Sequence, residues 1–340
     1  MSLPLEDVDC PLCGAASAVQ VASSRDVALG VPGVFSLARC AGCGLLYQNP
    51  RVRVDHLEHA YPSHYAPHAR DSELPRIART RGRAVRFVLR GSLGYGHLDV
   101  ADVGWRDRVA GRVLRRKIVT AFPPWHGRGR LLDVGCATGK FLGQMRAMGW
   151  SVAGLEVDPE AARKAKTITP DVFVGDPVDA LFAPASFDVI TAFHVIEHLP
   201  SPREALGRML GWLAPGGVII VEVPNVDGVG ARLFGRNWSG LDFPRHLVHF
   251  TPRTMDQMVA RVGGRVVDVV HRTKPRYLIR SLRHWLSGRD SRVARLGLRW
   301  LQSGLVRGGL KAALEVAMPL GGALGYGEAV RYFIRRRDDG

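Results

Sequence analysis

Leu131-Leu132-Asp133-Val134-Gly135-Cys136-Ala137-Thr138-Gly139-Lys140-Phe141 is the stretch on which the fold turns. Leu131 to Val134 read as a short buried strand, the glycines as a tight turn, and Gly135 to Met148 as a helix. Working outward, Ser151 to Glu156 reads as a strand and Pro159 to Lys166 as a helix. Further strands are expected at Val172 to Val174, Asp188 to Phe193, Val218 to Val223, Arg265 to His271 and Glu328 to Arg337. A helix from Pro202 to Leu213 is expected to stop at Ala214-Pro215-Gly216-Gly217, a turn feeding the next strand. Strands that alternate with helices imply parallel strands joined by right-handed crossovers, so the fold class is α/β with a doubly wound sheet. An apolar, Arg-rich helical insertion between Arg276 and Met318 separates the last two strands, which suits a hairpin at the sheet edge.

Upstream stand Cys10-Pro11-Leu12-Cys13-Gly14 and Cys40-Ala41-Gly42-Cys43-Gly44, with 26 residues between Cys13 and Cys40. Each pair can turn tightly, with Gly at the strained position, so that Cys10, Cys13, Cys40 and Cys43 meet one tetrahedral Zn2+ with no open position, a structural site. Disulfides are the competing account; the two-residue spacing favours zinc. His56 to His68 reads as a loop and Pro75 to Arg90 as a basic amphipathic helix, and Phe122-Pro123-Pro124 breaks the chain. The expected division is a zinc module at 1–50, a helical and loop linker at 51–125, and a catalytic domain at 126–340 with an insertion at 276–318.

Of the 340 residues, 46% are hydrophobic and 23% charged, the balance of an ordinary globular protein rather than a disordered one. No window offers the roughly 18 uncharged apolar residues of a membrane span, and the first ten residues lack the pattern of a secretory leader, so a cytoplasmic location is expected. The net charge is +16. Arg70 to Lys117 holds 13 Arg or Lys against 5 Asp or Glu, and Arg276 to Met318 holds 9 against 2. Such charge attracts nucleic acid, an anionic membrane or a nucleotide-linked metabolite, or simply solvates helices.

Taken with Gly154-Leu155-Glu156-Val157-Asp158, the block from Ser186 to Leu199 and Leu213-Ala214-Pro215-Gly216-Gly217, the opening stretch resembles class I S-adenosylmethionine-dependent methyltransferases, over about Leu131 to Val270. The resemblance implies a Rossmann-like, mostly parallel seven-stranded sheet with helical cap insertions, and S-adenosyl-L-methionine as cofactor. It places Asp133 and the turn of Gly135, Cys136, Ala137 and Gly139 at the methionine end. Glu156, 23 residues after Asp133, falls at the ribose hydroxyls, Asp176 at the adenine amino group and Phe193 at the end of the fourth strand. Ala137 stands where many relatives carry a glycine, and Pro177 lacks the N–H that often contacts adenine. A nicotinamide dinucleotide would need G-x-G-x-x-G, which Gly135 to Lys140 does not match.

Glu197 and His198 follow the fourth strand, and His198 is a candidate base, with a loop anchor as the alternative. The string His194-Val195-Ile196-Glu197-His198 also matches the H-x-x-E-H of inverted zinc peptidases, which requires a helix and not the end of a strand. Trp238 to Pro252 resembles the segment after strand five in ubiquinone-type O-methyltransferases and their sugar and polysaccharide relatives. There Arg245 would hold an anionic group, while His246 or His249 would act as base or join a weak divalent-metal site. The zinc leader resembles that of deoxysugar C-methyltransferases, which implies Tyr61 and Tyr65 at the acceptor, although the carboxyl-terminal half of those enzymes is not recognisable here.

The expected function is methyl transfer to a small-molecule acceptor, oxygen ahead of carbon, the acceptor being anionic or lipid-linked. Leu278, Leu282, Trp285 and Leu286 share one helical face of the 276–318 insertion, so peripheral membrane contact is one expectation and an ordinary packed helix the other. A nucleic-acid methyltransferase is disfavoured, because Ala192-Phe193-His194-Val195 lacks the N/D-P-P-aromatic motif. A non-catalytic cofactor-binding or zinc interaction protein is the third reading.

Overall fold

The computed structural model describes residues 3–61 and 82–339. The elements run β1 (Leu5–Glu6), β2 (Ala18–Ser24), β3 (Phe35–Cys40), β4 (Leu46–Gln48), β5 (Arg51–Val52), α1 (Gly82–Ser92) and α2 (Trp105–Val119). The central run is β6 (Arg130–Val134), α3 (Lys140–Ala147), β7 (Ser151–Glu156), α4 (Pro159–Ala165), β8 (Val172–Val174), β9 (Phe187–Phe193), α5 (Pro202–Trp212) and β10 (Leu213–Pro224). It continues through α6 (Val229–Phe234), β11 (Val248–His249), α7 (Pro252–Arg261), β12 (Gly264–Arg272), α8 (Pro275–Ser287), α9 (Arg292–Gln302), α10 (Gly304–Ala323) and β13 (Ala329–Arg336).

Seven strands form the main sheet in the order β12-β13-β10-β9-β6-β7-β8. The β6–β7, β6–β9 and β7–β8 pairs are parallel, as the strand and helix alternation requires. β12 and β13 are neighbours, as expected of strands flanking an insertion. Leu131, Leu132 and Val134 of β6 and Val189, Ile190 and Ala192 of β9 are fully buried, the continuous apolar run of a sheet covered on both faces. Asp188 fixes the start of β6: its carboxylate accepts from the backbone N–H of Arg128 and Arg130 at 3.0 and 2.9 Å and from the Arg130 guanidinium at 2.9 Å. Against the upward pull of burial, these donors hold its pKa below the ordinary carboxylate range.

The described residues cluster into two compact units, one from 3–61, 194–206 and 221–334, the other from 82–193, 207–220 and 335–339. The first contains a four-stranded sheet of order β11-β4-β3-β2, in which Val248 and His249 pair with Tyr47 and Leu46. A two-residue strand opposite the amino-terminal segment has no periodic signature, so the sequence reading missed it.

Several boundaries differ from expectation. β10 starts at Leu213 and runs through Ala214 to Gly217, the expected turn: Gly216 takes φ 72°, and a Cβ on Gly217 would sit 2.9 Å from the Asp188 carbonyl oxygen. These glycines let the backbone continue along its neighbour rather than turn away. Val54–Ala60 is a 3-10 helix instead of a loop. Of the helix expected at 75–90, residues 82 onward belong to α1 and 75–81 lie outside the described residues. α2 was not anticipated because only Gly111 and Ile118 are buried on it. Gly111 is the contact, since a Cβ there would meet Phe87, Val88 and the Ala84 carbonyl of α1 at 3.2–3.3 Å.

The insertion is helical, as expected, and forms α8, α9 and α10. On α8 the buried residues include Tyr277, Ile279 and Ser281, while Leu278, Leu282, Trp285 and Leu286 are half-buried. Caps follow the local chemistry: Asp158 accepts from Ala161 N–H at the start of α4, and Thr251 and Thr254 form a reciprocal cap on α7.

Candidate active site

Three side-chain groups stand out. In the first, the Cys10, Cys13, Cys40 and Cys43 sulfurs all lie within 4.8 Å of one another, with Cys10–Cys43 at 3.5 Å and Cys13–Cys40 at 3.4 Å. Two equivalent turns bring them together: Gly14 N–H donates to Cys10 O and Gly44 N–H to Cys40 O, with Gly14 at φ 76° and Gly44 at φ 80°. Four sulfurs around one zinc at the usual bond length would be about 3.8 Å apart, so the donor set fits the metal.

The second group surrounds the turn between β6 and α3. Gly135, Ala137 and Gly139 have φ of 72°, 47° and 77°, and a Cβ on Gly139 would lie 2.8 Å from the Ala165 Cα, so Gly139 is required by backbone approach as well as by φ. Glu156, buried at the end of β7, accepts Ala137 N–H at 2.7 Å on one oxygen and Asp158 N–H at 3.0 Å on the other. It therefore shapes the turn and keeps a remaining lone pair on each oxygen. Asp133 is buried and accepts the Thr191 hydroxyl at 2.6 Å; its other oxygen has no partner among the described residues. Burial pushes its pKa up to about 7, with the nearby Glu156 charge adding to the shift and the Thr191 bond opposing it. The Cys136 thiol is buried beside Gly154, leaving only its backbone for a ligand. Asp176 accepts Val178 N–H at 2.8 Å in a local turn, and Phe193 meets Phe141 edge to face at 5.6 Å between centroids.

The third group lies wholly in the unit that contains β11. Glu197 is 1% exposed; one oxygen faces His194 Nδ1 at 3.1 Å, and the other is buried without a partner. Burial would raise its pKa, but His194, His198 and His246 outweigh that and keep it low. His198 Nδ1 stands 3.1 Å from the Arg245 carbonyl oxygen and 3.0 Å from the Tyr61 hydroxyl, and His246 Nδ1 stands 2.8 Å from the Gly240 carbonyl oxygen. A carbonyl only accepts, so both Nδ1 atoms carry a proton, and each ring in its neutral form presents its lone pair at Nε2. Burial, reinforced by His246, lowers the His198 pKa to about 4. His194 has φ 59° and its Nε2 is 2.8 Å from Lys274 Nζ; Lys274 in turn pairs with buried Glu222, which also takes Arg331 at 2.9 Å. Burial lowers the Lys274 pKa to about 8 against the pull of Glu222.

Arg245 corrects the expectation that it holds an anionic ligand. It is fully buried and binds Asp26 through two nitrogens at 2.8 and 3.0 Å, Asp242 at 2.9 and 3.2 Å, and the Ala60 and Phe243 carbonyls at 3.2 and 2.9 Å. Burial opposes its charge, but the two carboxylates raise its pKa further. Asp26 lies 219 residues away and gave no sequence signal.

The structure thus joins Glu197, His198 and His246, brings the expected Tyr61 to His198, and adds His194. His249 sits in β11, buried, with a pKa lowered to about 3 by burial and its Nε2 unpartnered, its ring centroid 6.3 Å from that of His246. Tyr65 lies outside the described residues.

Residues 105–269 match the family model of a methyltransferase domain, and the chain carries a class I S-adenosylmethionine-dependent methyltransferase domain. The ubiquinone biosynthesis O-methyltransferase of Psychrobacter arcticus is 29% identical over 161 residues, covering 42% of this chain and 61% of that enzyme. The enzyme of the same description from Paracidovorax citrulli is 31% identical over 120 residues, 33% of this chain and 50% of its own. The biotin biosynthesis bifunctional protein BioHC of Cellvibrio japonicus is 29% identical over 189 residues, 53% and 37% respectively. The chain therefore spans less than two thirds of the length of each of these relatives.

Because Arg245 holds two buried carboxylates, Arg245→Met should destabilise the protein by about 3–5 kcal/mol, since it strands Asp26 and Asp242 without a counter-charge. Arg245→Lys should recover little, lacking the planar fork. Urea unfolding checks this; a loss below about 1 kcal/mol for Arg245→Met would show that the clamp is not structural.

Proposed function

We propose that this protein transfers a methyl group from S-adenosylmethionine to an oxygen of a small-molecule acceptor. The observation that carries the reading is Asp133, a buried carboxylate with one unpartnered oxygen beside a turn built for close backbone approach, which fits a ligand with an ammonium group. Asp133 and the backbone of Gly135, Cys136, Ala137 and Gly139 would hold the methionine part, Glu156 the ribose hydroxyls, and Asp176 and Phe193 the adenine side. Bound there, the cofactor supplies an electrophilic methyl group. Glu197 and His198, which follow β9 in the chain, and His246, which precedes β11, would offer lone pairs to an acceptor hydroxyl, and one of them would receive its proton as the oxygen forms its new bond to carbon. Tyr61 orients His198. The four cysteines would hold a structural Zn2+.

A second reading concerns where the acceptor resides. Val293, Leu296 and Trp300, one face of α9, are 79%, 55% and 62% exposed, with Arg292, Arg295 and Arg299 on the same helix. Among the described residues no helix is long and apolar enough to cross a membrane, but this face suits the headgroup boundary of an anionic one and hence a lipid-linked acceptor.

The Asp133 pKa of about 7 makes cofactor binding pH-dependent. An ammonium pairs with the ionised form, so affinity should fall about tenfold per pH unit below 7 and level off above it. In the free protein the same shift, upward from 3.8, gives a stability contribution present below the unfolded pKa and lost as pH rises through 7. Asp133→Asn should flatten both profiles; calorimetry showing pH-independent affinity in the parent protein would remove Asp133 from the site. For the second reading, flotation should show salt-sensitive binding to anionic vesicles that Trp300→Ala weakens, whereas no binding would leave a soluble acceptor.

A further inference from the structure

We propose that Glu197 Oε2, His198 Nε2 and His246 Nε2 form a second metal site, for one divalent transition-metal ion of the Zn2+ type, with an open coordination position. Glu197, His198 and His246 each offer a ligand atom within 4.8 Å of the others. Ligands of one tetrahedral zinc at about 2.1 Å are about 3.4 Å apart, so the trio closes on a cation by small side-chain rotations.

Three independent features point these atoms at a cation. Glu197 Oε2 is buried and has no hydrogen-bond partner, a costly state for a carboxylate oxygen unless something positive meets it. Both imidazoles have Nδ1 committed to a backbone carbonyl, Arg245 O for His198 and Gly240 O for His246. This is the outer hydrogen bond that metal-binding histidines make, and it leaves each Nε2 as a lone pair. Finally, His246 Nε2 stands 3.8 Å from Asp242 Oδ2, beyond hydrogen-bond distance, so this nitrogen is not committed to that carboxylate.

The local charge agrees. Asp26 and Asp242 share the one guanidinium of Arg245, and Glu197 meets His194 through Oε1 alone, leaving Oε2 for a cation. Beyond His194, Glu222 is matched by Lys274 and Arg331. Two nitrogens and one carboxylate oxygen suit zinc, cobalt or ferrous iron rather than magnesium or calcium, and three protein ligands leave room for an exogenous oxygen. In the methyl-transfer reading that oxygen belongs to the acceptor. With the three lone pairs committed to the ion, the ion would instead lower the pKa of the acceptor hydroxyl, whose proton would leave to solvent water as the oxygen forms its bond to the methyl carbon. The site itself depends only on this cluster.

Cobalt distinguishes this site from the cysteine cluster. Protein produced in cobalt-supplemented medium should bind two equivalents, one showing intense thiolate charge-transfer absorption and one showing only weak ligand-field bands. Cys40→Ser should remove the first. His246→Ala and the near-isosteric Glu197→Gln should weaken the second by at least about 100-fold while the thiolate bands persist, which reports that the amino-terminal fold is intact. A single equivalent in the parent protein, or a second equivalent unaffected by both substitutions, would overturn the site. If two equivalents bind as described but S-adenosylmethionine does not, the methyl-transfer reading fails and the metal site stands.

Discussion

One guanidinium organises the unit that holds Glu197, His198 and His246. Arg245 cannot leave its cage without stranding Asp26 and Asp242, and its backbone carbonyl fixes the tautomer of His198. The same guanidinium holds the Ala60 carbonyl, one residue from the tyrosine whose hydroxyl reaches His198. Asp26 in turn accepts the N–H groups of Ala28, Leu29 and Val31, which closes the loop between β2 and β3. A buried ion pair of this kind is weak evidence for stability in itself, because desolvation offsets much of the attraction. Its effect is specificity of arrangement: three chain segments far apart in sequence have one position relative to the cluster.

The amino-terminal sheet supplies a second tether. Cys40 ends β3, β3 pairs with β4, and Gln48 of β4 donates to the His246 carbonyl at 2.7 Å while its backbone N–H donates to Leu247 O. Leu247 N–H donates to Glu197 O at 2.8 Å. The cysteine cluster thus connects, through one sheet, to Glu197 and His246. A structural metal there would bear on catalysis by holding the histidines in register, without touching the reaction.

Much of this was legible in the residues. The strand, turn and helix from Leu131 to Phe141 and the two CxxC pairs are local signals, because the chemistry requires neighbouring residues at fixed spacing. Glu197, His198 and His246 were legible as candidates because two short motifs contain them. Their union was not, since it depends on a β-bridge between Leu46–Tyr47 and Val248–His249 and on Asp26, an acidic residue in an unremarkable loop. Arg245 was misread for the same reason: an arginine among histidines looks like an anion receptor until its own carboxylates are located. Lys274 and Glu222 escaped notice because buried opposite charges on separate strands and loops leave no periodicity.

The central claim is that a methyl group passes to a small molecule under the control of the Glu197 cluster. Incubating the protein with methyl-labelled S-adenosylmethionine and a metabolite extract of its host, then fractionating by size, tests it directly. Label should enter the small-molecule fraction as a product other than the cofactor, and Glu197→Gln should abolish this while cofactor binding is unchanged. Label confined to nucleic acid or protein, or transfer undiminished in the variant, would contradict the account.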